Sequence, residues 1–256
     1  MMLLRRIWGY WGFIWFGFIC GLALVLVLPF HLFSSASYDK YFQRYWYHVL
    51  GRFVLYGSGI FVRRHGATHY EDKAYIILAN HTTAMDIPIQ AIGIPSAIPF
   101  KFLAKSSVSK IPVLSSIAAR CAILVDRHSA ESRQAAKQAL VEAIQGGQSV
   151  LIYPEGGRNR TASPLAPFKM GSLALAYEYN FPVVVNTVVG AHRLNPVGKY
   201  LELRPGIVDS HWSEVIEPQR YVSALEFCQG MEEMMLNILE EQGEKLVCES
   251  KNSIAS

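Results

Sequence analysis

A histidine and an aspartate with the spacing of a general base and its partner follow the apolar run at residues 75–79. These residues, His81 and Asp86, stand five positions apart. The unperturbed pKa of histidine, about 6.5, suits it to take a proton from an alcohol near neutral pH. A carboxylate bonded to the other ring nitrogen fixes the tautomer and stabilises the imidazolium that forms. The geometry works if His81 lies in a strand-to-helix turn and Asp86 lies one turn into the helix, reaching back.

The sequence offers no protein nucleophile beside this base. The G-x-S-x-G elbow of serine hydrolases is absent, and none of the four cysteines neighbours a candidate base. Direct attack by an acceptor alcohol on an activated acyl group needs no such nucleophile. The same pair could instead activate water, so lipid hydrolysis remains an alternative.

A glycine-containing turn follows a second apolar run, at residues 149–153. Its sequence PEGGR places two glycines between Glu155 and Arg158. Glycine lets backbone N–H groups approach a phosphate, and arginine can bind a phosphate through two hydrogen bonds. Arg160 and Lys169 add positive charge nearby. The turn is either a phosphate-binding element or a surface turn with solvated charges.

Apolar runs alternate with helix-forming stretches, which predicts an α/β fold with a largely parallel or mixed sheet and flanking helices. The predicted strands are 75–79, 122–125, 149–153 and 182–189, with a shorter candidate at 201–204. The predicted helices include 131–145, 170–179 and 224–246. Ligands of such sheets bind beyond the carboxyl ends of the strands. The polar residues after the first three runs, Asp126 and Arg127 among them, are therefore expected to meet at one edge.

Residues 7–33 carry no Asp, Glu, Lys or Arg and are mostly large and apolar. About 20 such residues cross a bilayer as a helix, whereas the apolar region of a cleaved signal peptide has about 7–15. Retention in a membrane is therefore the favoured interpretation. Basic residues precede and follow this run, and basic residues favour the cytoplasmic side of a membrane, so both ends of the run are expected on that side. We therefore predict a re-entrant helical hairpin in one leaflet, bending near residues 17–21.

The next segment, residues 41–62, mixes aromatic with basic residues. It is either an interfacial membrane helix or an ordinary amphipathic helix packed on the fold, since both need one apolar face. The predicted division of the chain is a membrane-associated helical segment at 1–65, a catalytic domain at 66–220, and a carboxy-terminal helix and tail at 221–256.

Net charge and cysteine spacing indicate which classes of binding partner and which cellular setting are expected. The net charge is only +4, and no nucleic-acid-binding module is recognisable, so nucleic acid is not an expected partner. Basic residues near aromatic segments suit an anionic membrane surface or a phosphorylated substrate. The cysteines are scattered, without C-x-x-C spacing, which argues against a disulfide framework or zinc site and for a reducing, cytosolic setting.

Taken in order, these segments resemble the glycerophospholipid acyltransferase family, particularly its 1-acylglycerol-3-phosphate acyltransferases. The family block N-H-x-x-x-x-D matches Asn80, His81 and Asp86. The second block resembles residues 101–127, from KFLAK to ILVDR. The third, usually F-P-E-G-T-R-S, reads YPEGGRN, and the fourth is an apolar strand at 181–189. The likeness covers roughly residues 66–210.

The resemblance implies an activity. A fatty acyl group moves from acyl-CoA or acyl carrier protein to the sn-2 hydroxyl of 1-acylglycerol-3-phosphate, giving phosphatidic acid in phospholipid biosynthesis. His81 is implied as the base and Asp86 as its partner, with no metal and no further cofactor. The implied substrate-binding residues are Glu155, Gly156, Arg158, Lys105 and Arg127. The expected location is a membrane, a bacterial inner membrane with the catalytic domain facing the cytoplasm.

Some positions depart from the family pattern. Gly157 replaces the usual threonine and Asn159 the usual serine, while Asn186 stands in place of a proline. Ser115 or Ser116 falls where the second block usually has glycine. Another lysolipid acceptor, such as a lyso-ornithine lipid, is therefore an alternative. A non-catalytic membrane adaptor that binds lipid is an alternative of a different class.

Overall fold

β-branched and other apolar residues build a seven-stranded sheet whose strands alternate with helices along the chain. The computed structural model describes residues 2–31, 47–67, 69–94, 98–110, 114–196 and 202–243. The strands are β1 Ile60–Gly66, β2 Ile76–Ala79, β3 Phe100–Lys105, β4 Ala122–Val125, β5 Ser149–Ile152, β6 Val183–Val189 and β7 Gly206–Trp212. The helices are α1 Met2–His31, α2 Tyr47–Gly57, α3 Asp86–Gly93, α4 Leu114–Cys121, α5 Ala130–Gln145, α6 Met170–Glu178, α7 Ala191–Leu194 and α8 Ala224–Glu241. Short 3-10 helices lie at Ser106–Lys110 and Pro218–Arg220.

The strand order brings the polar segments of the sequence to one edge. The order is β1-β7-β6-β2-β5-β3-β4, and among the described strands only the β6–β7 pairing is antiparallel. β2, β5, β3 and β4 therefore end at the same edge, where His81, Tyr153, Lys105 and Asp126 lie. We call this the His81 edge. The predicted α/β fold with a largely parallel sheet is confirmed.

Helices cover both faces of the central strands. Alternate side chains of β2 point to opposite faces: Ile76 and Leu78 pack towards α5, α6 and α8, whereas Ile77 packs with residues of α3 and α4. All four residues of β2 are buried, as expected for a parallel strand covered on both sides. The site that follows β2 therefore rests on a well-packed support.

The amino-terminal helix is continuous. α1 runs through Gly17 and Gly21, so the predicted bend near residues 17–21 is wrong. A glycine inside a helix costs only about 1 kcal/mol, and no described atom packs near either glycine to force a turn. Residues 32–33 of the predicted hairpin and residues 41–46 of the helix predicted after it lie outside the described residues. No helix within the described ranges combines the length and apolarity needed to cross a bilayer.

α2 runs alongside α1 and is held to it by tryptophans. The indole N–H groups of Trp8, Trp11 and Trp15 donate to the carbonyl oxygens of Ser58, Gly57 and Phe53, at 3.0, 2.8 and 2.7 Å. The later a tryptophan stands in α1, the earlier in the sequence is the carbonyl group that it binds at the end of α2. The two helices are therefore antiparallel neighbours.

Three strands, β1, β3 and β7, were not predicted, and one predicted strand is absent. The helix expected at 41–62 ends at Gly57, and Gly59, with φ at +70°, turns the chain into β1. Residues 60–62 of this predicted helix, and the rest of the predicted amino-terminal segment up to residue 65, thus belong to β1. Residues 202–204 of the strand predicted at 201–204 are not in a strand, and β7 begins at Gly206. α8 closes the core with Phe227 and Met231, and residues 244–246 of its predicted range lie outside the described residues.

We expect Gly57→Ala to weaken the packing of α1 on α2. A Cβ at Gly57 would overlap the Trp15 indole, so the gain in helix propensity is outweighed by overpacking of about 1–3 kcal/mol. Thermal unfolding of the purified protein in detergent, followed by circular dichroism, should show a lower Tm. Gly17→Ala is the matched control, because a Cβ there meets no described atom within 4 Å. Equal Tm values for the two variants would contradict this packing.

Candidate active site

His81 lies immediately beyond β2 with one ring nitrogen held and the other open. Its Nδ1 is 2.8 Å from Oδ2 of Asp86, the first residue of α3. The His81 side chain is 17% exposed and that of Asp86 is 1% exposed. No hydrogen bond to Nε2 is recorded among the described residues. The pair therefore presents Nε2 as an oriented proton acceptor.

The same oxygen of Asp86 also organises the turn. Oδ2 accepts hydrogen bonds from the backbone N–H groups of Thr82, at 2.6 Å, and Thr83, at 2.9 Å. The Thr83 hydroxyl donates to Asn195 Oδ1 at 2.9 Å and accepts from the Met85 N–H at 3.0 Å. Asp86 opens α3 instead of lying one turn inside it, and a negative charge is stabilised at a helix N-terminus.

The backbone of His81 is held on both sides by the turn that follows β5. Its N–H donates to Glu155 Oε1 at 2.6 Å, and its carbonyl oxygen accepts from the Asn159 N–H at 2.6 Å. Glu155 Oε2 accepts from the Ala166 N–H at 3.0 Å, and the residue is only 7% exposed. The role of Glu155 in binding substrate stays a prediction. In the structure both its oxygens accept from backbone donors, so this carboxylate holds the loop that carries His81.

Two further residues position the histidine. The Asn80 side chain pairs with the backbone of Val188 in β6, donating at 2.9 Å and accepting at 2.8 Å. Tyr153 stacks its ring on the imidazole of His81, with centroids 4.1 Å apart and planes inclined by 16°. Burial, reinforced by the nearby Asp86 charge, raises the pKa of Tyr153 well above its ordinary value. The phenol is therefore neutral and confines the ring of His81.

Basic side chains lie beside this turn. Gly156 has φ at +80°, and a Cβ there would lie 3.2 Å from Lys169 Cγ and 3.6 Å from Arg127 Nη1. The structure thus brings Gly156, Arg127 and Lys169 together. Arg158 is half-buried in the same turn, and the exposed Lys105 ends β3 at the same edge.

Comparison with known proteins places the chain in a family. A model described as "Acyltransferase" matches residues 61–189, just over half of the chain. The chain belongs to the acyltransferase family. A 1-acyl-sn-glycerol-3-phosphate acyltransferase of Limnanthes douglasii is 27% identical over 210 residues, covering 75% of this chain and 69% of the relative. A putative enzyme of the same name from Caenorhabditis elegans is 33% identical over 175 residues, covering 66% and 60%.

Other relatives are longer than the matched region. An enzyme of that name from Chlamydomonas reinhardtii is 30% identical over 155 residues, which are 60% of this chain but only 46% of the relative. Among solved structures, the 1-acyl-sn-glycerophosphate acyltransferase PlsC of Thermotoga maritima superposes with a TM-score of 0.78 at 22% identity. The superposition covers 94% of this chain and 96% of that one, and it shows a shared acyltransferase fold.

Sequence reasoning missed several residues of this acyltransferase site. Tyr153 stands where the family usually has phenylalanine, which was a signal, but its stacking on His81 depends on the sheet. The clamp of Asn80 on Val188 joins residues 108 positions apart. Asn159, noted only as a departure, accepts hydrogen bonds from both the N–H and the hydroxyl of Thr161. Within the described ranges, no group of three His, Cys, Asp or Glu residues is arranged to hold a metal ion.

Burial gives Glu155 an unusual ionisation. Desolvation raises its pKa from 4.5 to about 7, against the opposing effect of the N–H groups of His81 and Ala166. Because the folded state binds this proton more tightly than the unfolded state, folding stability falls as the pH rises from about 4.5 to about 7. The difference between these pKa values corresponds to about 3 kcal/mol.

We expect Glu155→Gln to remove this pH-dependent loss. The unfolding free energy of the wild-type chain minus that of the variant should fall by about 3 kcal/mol between pH 4.5 and 8. Denaturant unfolding at several pH values measures the difference. Glu240→Gln, which removes an exposed carboxylate of α8, is the matched control. A constant difference for Glu155→Gln would mean that the buried carboxylate keeps an ordinary pKa.

Proposed function

We propose that this acyltransferase moves a fatty acyl group from acyl-CoA or acyl carrier protein to the sn-2 hydroxyl of 1-acylglycerol-3-phosphate. The product is phosphatidic acid, an intermediate for phospholipid synthesis. The observation that carries the proposal is His81, whose Nδ1 is bonded to buried Asp86 and whose backbone N–H binds Glu155, in the turn where Gly156 lies beside Arg127 and Lys169. Curated relatives of three organisms carry the name of this activity.

The proposed reaction needs one oriented base. Nε2 of His81 takes the proton from the acceptor hydroxyl as its oxygen bonds to the thioester carbonyl carbon. The carbon–sulfur bond then breaks, and the leaving thiolate takes the proton back from the imidazolium. Asp86 stabilises the positive charge that the ring carries between these steps. Protons balance, and no covalent acyl-enzyme forms.

The acceptor phosphate binds to the basic groups at the His81 edge. Arg127 and Arg158 can each donate two hydrogen bonds to phosphate, and Lys105 adds a point charge. The positive φ of Gly156 leaves the space beside Arg127 free of a side chain. This arrangement favours a phosphorylated acceptor over the zwitterionic lyso-ornithine lipid.

We expect His81→Ala to reduce kcat by about 100- to 10,000-fold, which is the usual contribution of a general base. The fold should survive, because Asp86 keeps its backbone donors and the backbone of His81 keeps its partners. Product formation by mass spectrometry, with circular dichroism as the fold check, measures both. His69→Ala removes an exposed histidine and is the matched control.

The same assay separates the competing functions. Lysophosphatidate and lyso-ornithine lipid are offered with acyl-CoA and with acyl carrier protein. Fatty acid released without an acceptor would indicate hydrolysis, and no product with any donor would favour a lipid-binding adaptor. A near-normal rate for His81→Ala would remove this residue from the mechanism.

The proposal also places α1 and α2 at a membrane surface, on the cytoplasmic side of a bacterial inner membrane. α1 exposes a set of large apolar side chains: Leu3, Leu4, Ile7, Tyr10, Trp11, Phe13, Ile14, Phe18, Leu22 and Val25. Exposed apolar surface of this extent marks a membrane or protein contact. Because β6 and β7 are antiparallel, β1 begins at the His81 edge, which supports α1 and α2 meeting the bilayer beside the site.

We expect replacement of both Phe13 and Phe18 by serine to weaken membrane binding more than tenfold. These side chains are 67% and 60% exposed, and burial of one phenylalanine is worth about 1.5–3 kcal/mol. Co-sedimentation with phosphatidylglycerol–phosphatidylethanolamine vesicles measures the loss. Val222→Ser is the control, since this valine is 89% exposed and lies outside α1. Unchanged binding of the double variant would assign the aromatic face to another contact.

A further inference from the structure

A cavity of about 340 Å³ lies between α5 and α6, on the sheet face opposite α2 and α3. Its floor is apolar and comes from three strands and both helices: Leu103, Val125, Ile152, Ala136, Leu140 and Leu175. This volume is within the range of small-molecule pockets, about 300–1,000 Å³. The floor suits a hydrocarbon chain.

The rim of the cavity is cationic. It comprises Arg127, Arg133, Lys137 and Lys169, and no aspartate or glutamate lines the cavity. Within the described ranges none of these four forms an ion pair, and the carboxylate that interacts electrostatically with Arg133, that of Glu131, does not line the cavity. The guanidinium of Arg133 donates to the Arg127 carbonyl oxygen at 2.7 Å, which keeps the two arginines together. An apolar floor beneath a cationic rim is complementary to an amphiphile with an anionic head.

The cavity and the catalytic histidine share one turn. Tyr153, Pro154 and Gly156 line the cavity, while the Tyr153 ring stacks on His81 and Glu155 accepts the His81 N–H. An anionic head at the rim beside Gly156 is therefore next to the loop that carries the base.

The arrangement of charge and hydrocarbon distinguishes the two substrates. In acyl-CoA or acyl carrier protein, the whole pantetheine arm separates the phosphate groups from the acyl chain. In a 1-acylglycerol-3-phosphate, one glycerol carries the phosphate, the free hydroxyl and the start of the chain. Cations set directly above an apolar floor match the second pattern.

We propose that the cavity between α5 and α6 binds the first carbons of the acceptor's own acyl chain. The phosphate then lies at Arg127 and Lys169, and the free hydroxyl is directed towards His81. This assignment rests on the proposed function, and it gives the acceptor chain a protein site of its own.

Gly171 offers a way to close the cavity without disturbing the fold. It lines the cavity from α6, and an added Cβ would meet no described atom within 4 Å. Leucine is also a better helix former than glycine. Gly171→Leu should therefore fill the space with a folded protein. Ala135→Leu adds the same side chain at an exposed position of α5 that does not line the cavity, and it is the matched control.

The test is a direct binding measurement on the full chain. Isothermal titration with monomeric 1-octanoylglycerol-3-phosphate and with glycerol 3-phosphate compares ligands that differ in the acyl chain. The wild type and Ala135→Leu should bind the octanoyl ligand at least tenfold more tightly than glycerol 3-phosphate. Gly171→Leu should lose at least tenfold in affinity for the octanoyl ligand and retain its affinity for glycerol 3-phosphate. Equal binding of the octanoyl ligand by all three proteins would overturn the assignment.

Turnover then identifies whose chain occupies the cavity. For Gly171→Leu, the KM for the acceptor, relative to that of the wild type, should increase as the acceptor chain is lengthened. The KM for the donor should stay the same for donors of different chain length. A change confined to donor chain length would overturn the proposal and assign the cavity to the thioester. If Gly171→Leu weakens lysophosphatidate binding but the wild type never acylates this lipid, the proposed function is wrong and the binding site is retained.

Discussion

A single carboxylate oxygen organises the loop that carries His81. Oδ2 of Asp86 accepts hydrogen bonds from the His81 ring and from the backbone N–H groups of Thr82 and Thr83, in a site where the side chain is 1% exposed. Such a buried charge is tolerated only when donors and a helix N-terminus compensate for lost water. Without it, two backbone donors would lose their acceptor and the imidazole would lose its orientation. The ends of β2 and β5 and the start of α3 are placed so that this oxygen can be reached.

The topology of the sheet connects this loop to the rest of the molecule. β2 and β5 end side by side, so the turn after β5 can hold the His81 backbone from both directions. The antiparallel step between β6 and β7 reverses β1, which brings the end of α2 and the Trp8 contact of α1 to the same edge. In the proposed function, the membrane-facing helices and the cationic cavity therefore both lie at the edge of the sheet that carries His81.

The strands that could be predicted from sequence are those buried on both faces, such as β2 and β5, which are continuous apolar runs. β1 and β7 were missed because their apolar residues form only short runs that charged and polar residues follow within the same strand, as in IFVRRHG and GIVDSHW. The two strands also pair with each other across about 146 residues of sequence. The His81–Asp86 pairing was predictable because a short turn joins the two residues. The role of Glu155 was not, because its partners His81 and Ala166 come from two separate loops. The absence of a bend in α1 was equally hidden, since glycines permit a turn without requiring one.

Residues of the turn after β5 contact both His81 and the cavity. Tyr153 and Glu155 contact His81, and Tyr153, Pro154 and Gly156 line the cavity. Gly156 has a positive φ, which allows the chain to turn at this point, and a side chain there would crowd Arg127 and Lys169. A ligand that binds at the rim thus contacts the same short segment that fixes the imidazole. Glu155 accepts the His81 N–H, which ties this segment to the loop that carries the histidine. In the proposed function, a headgroup bound beside Gly156 and the base that takes the proton from its hydroxyl therefore share one support. Proton transfer and placement of the acceptor would then depend on the same few hydrogen bonds.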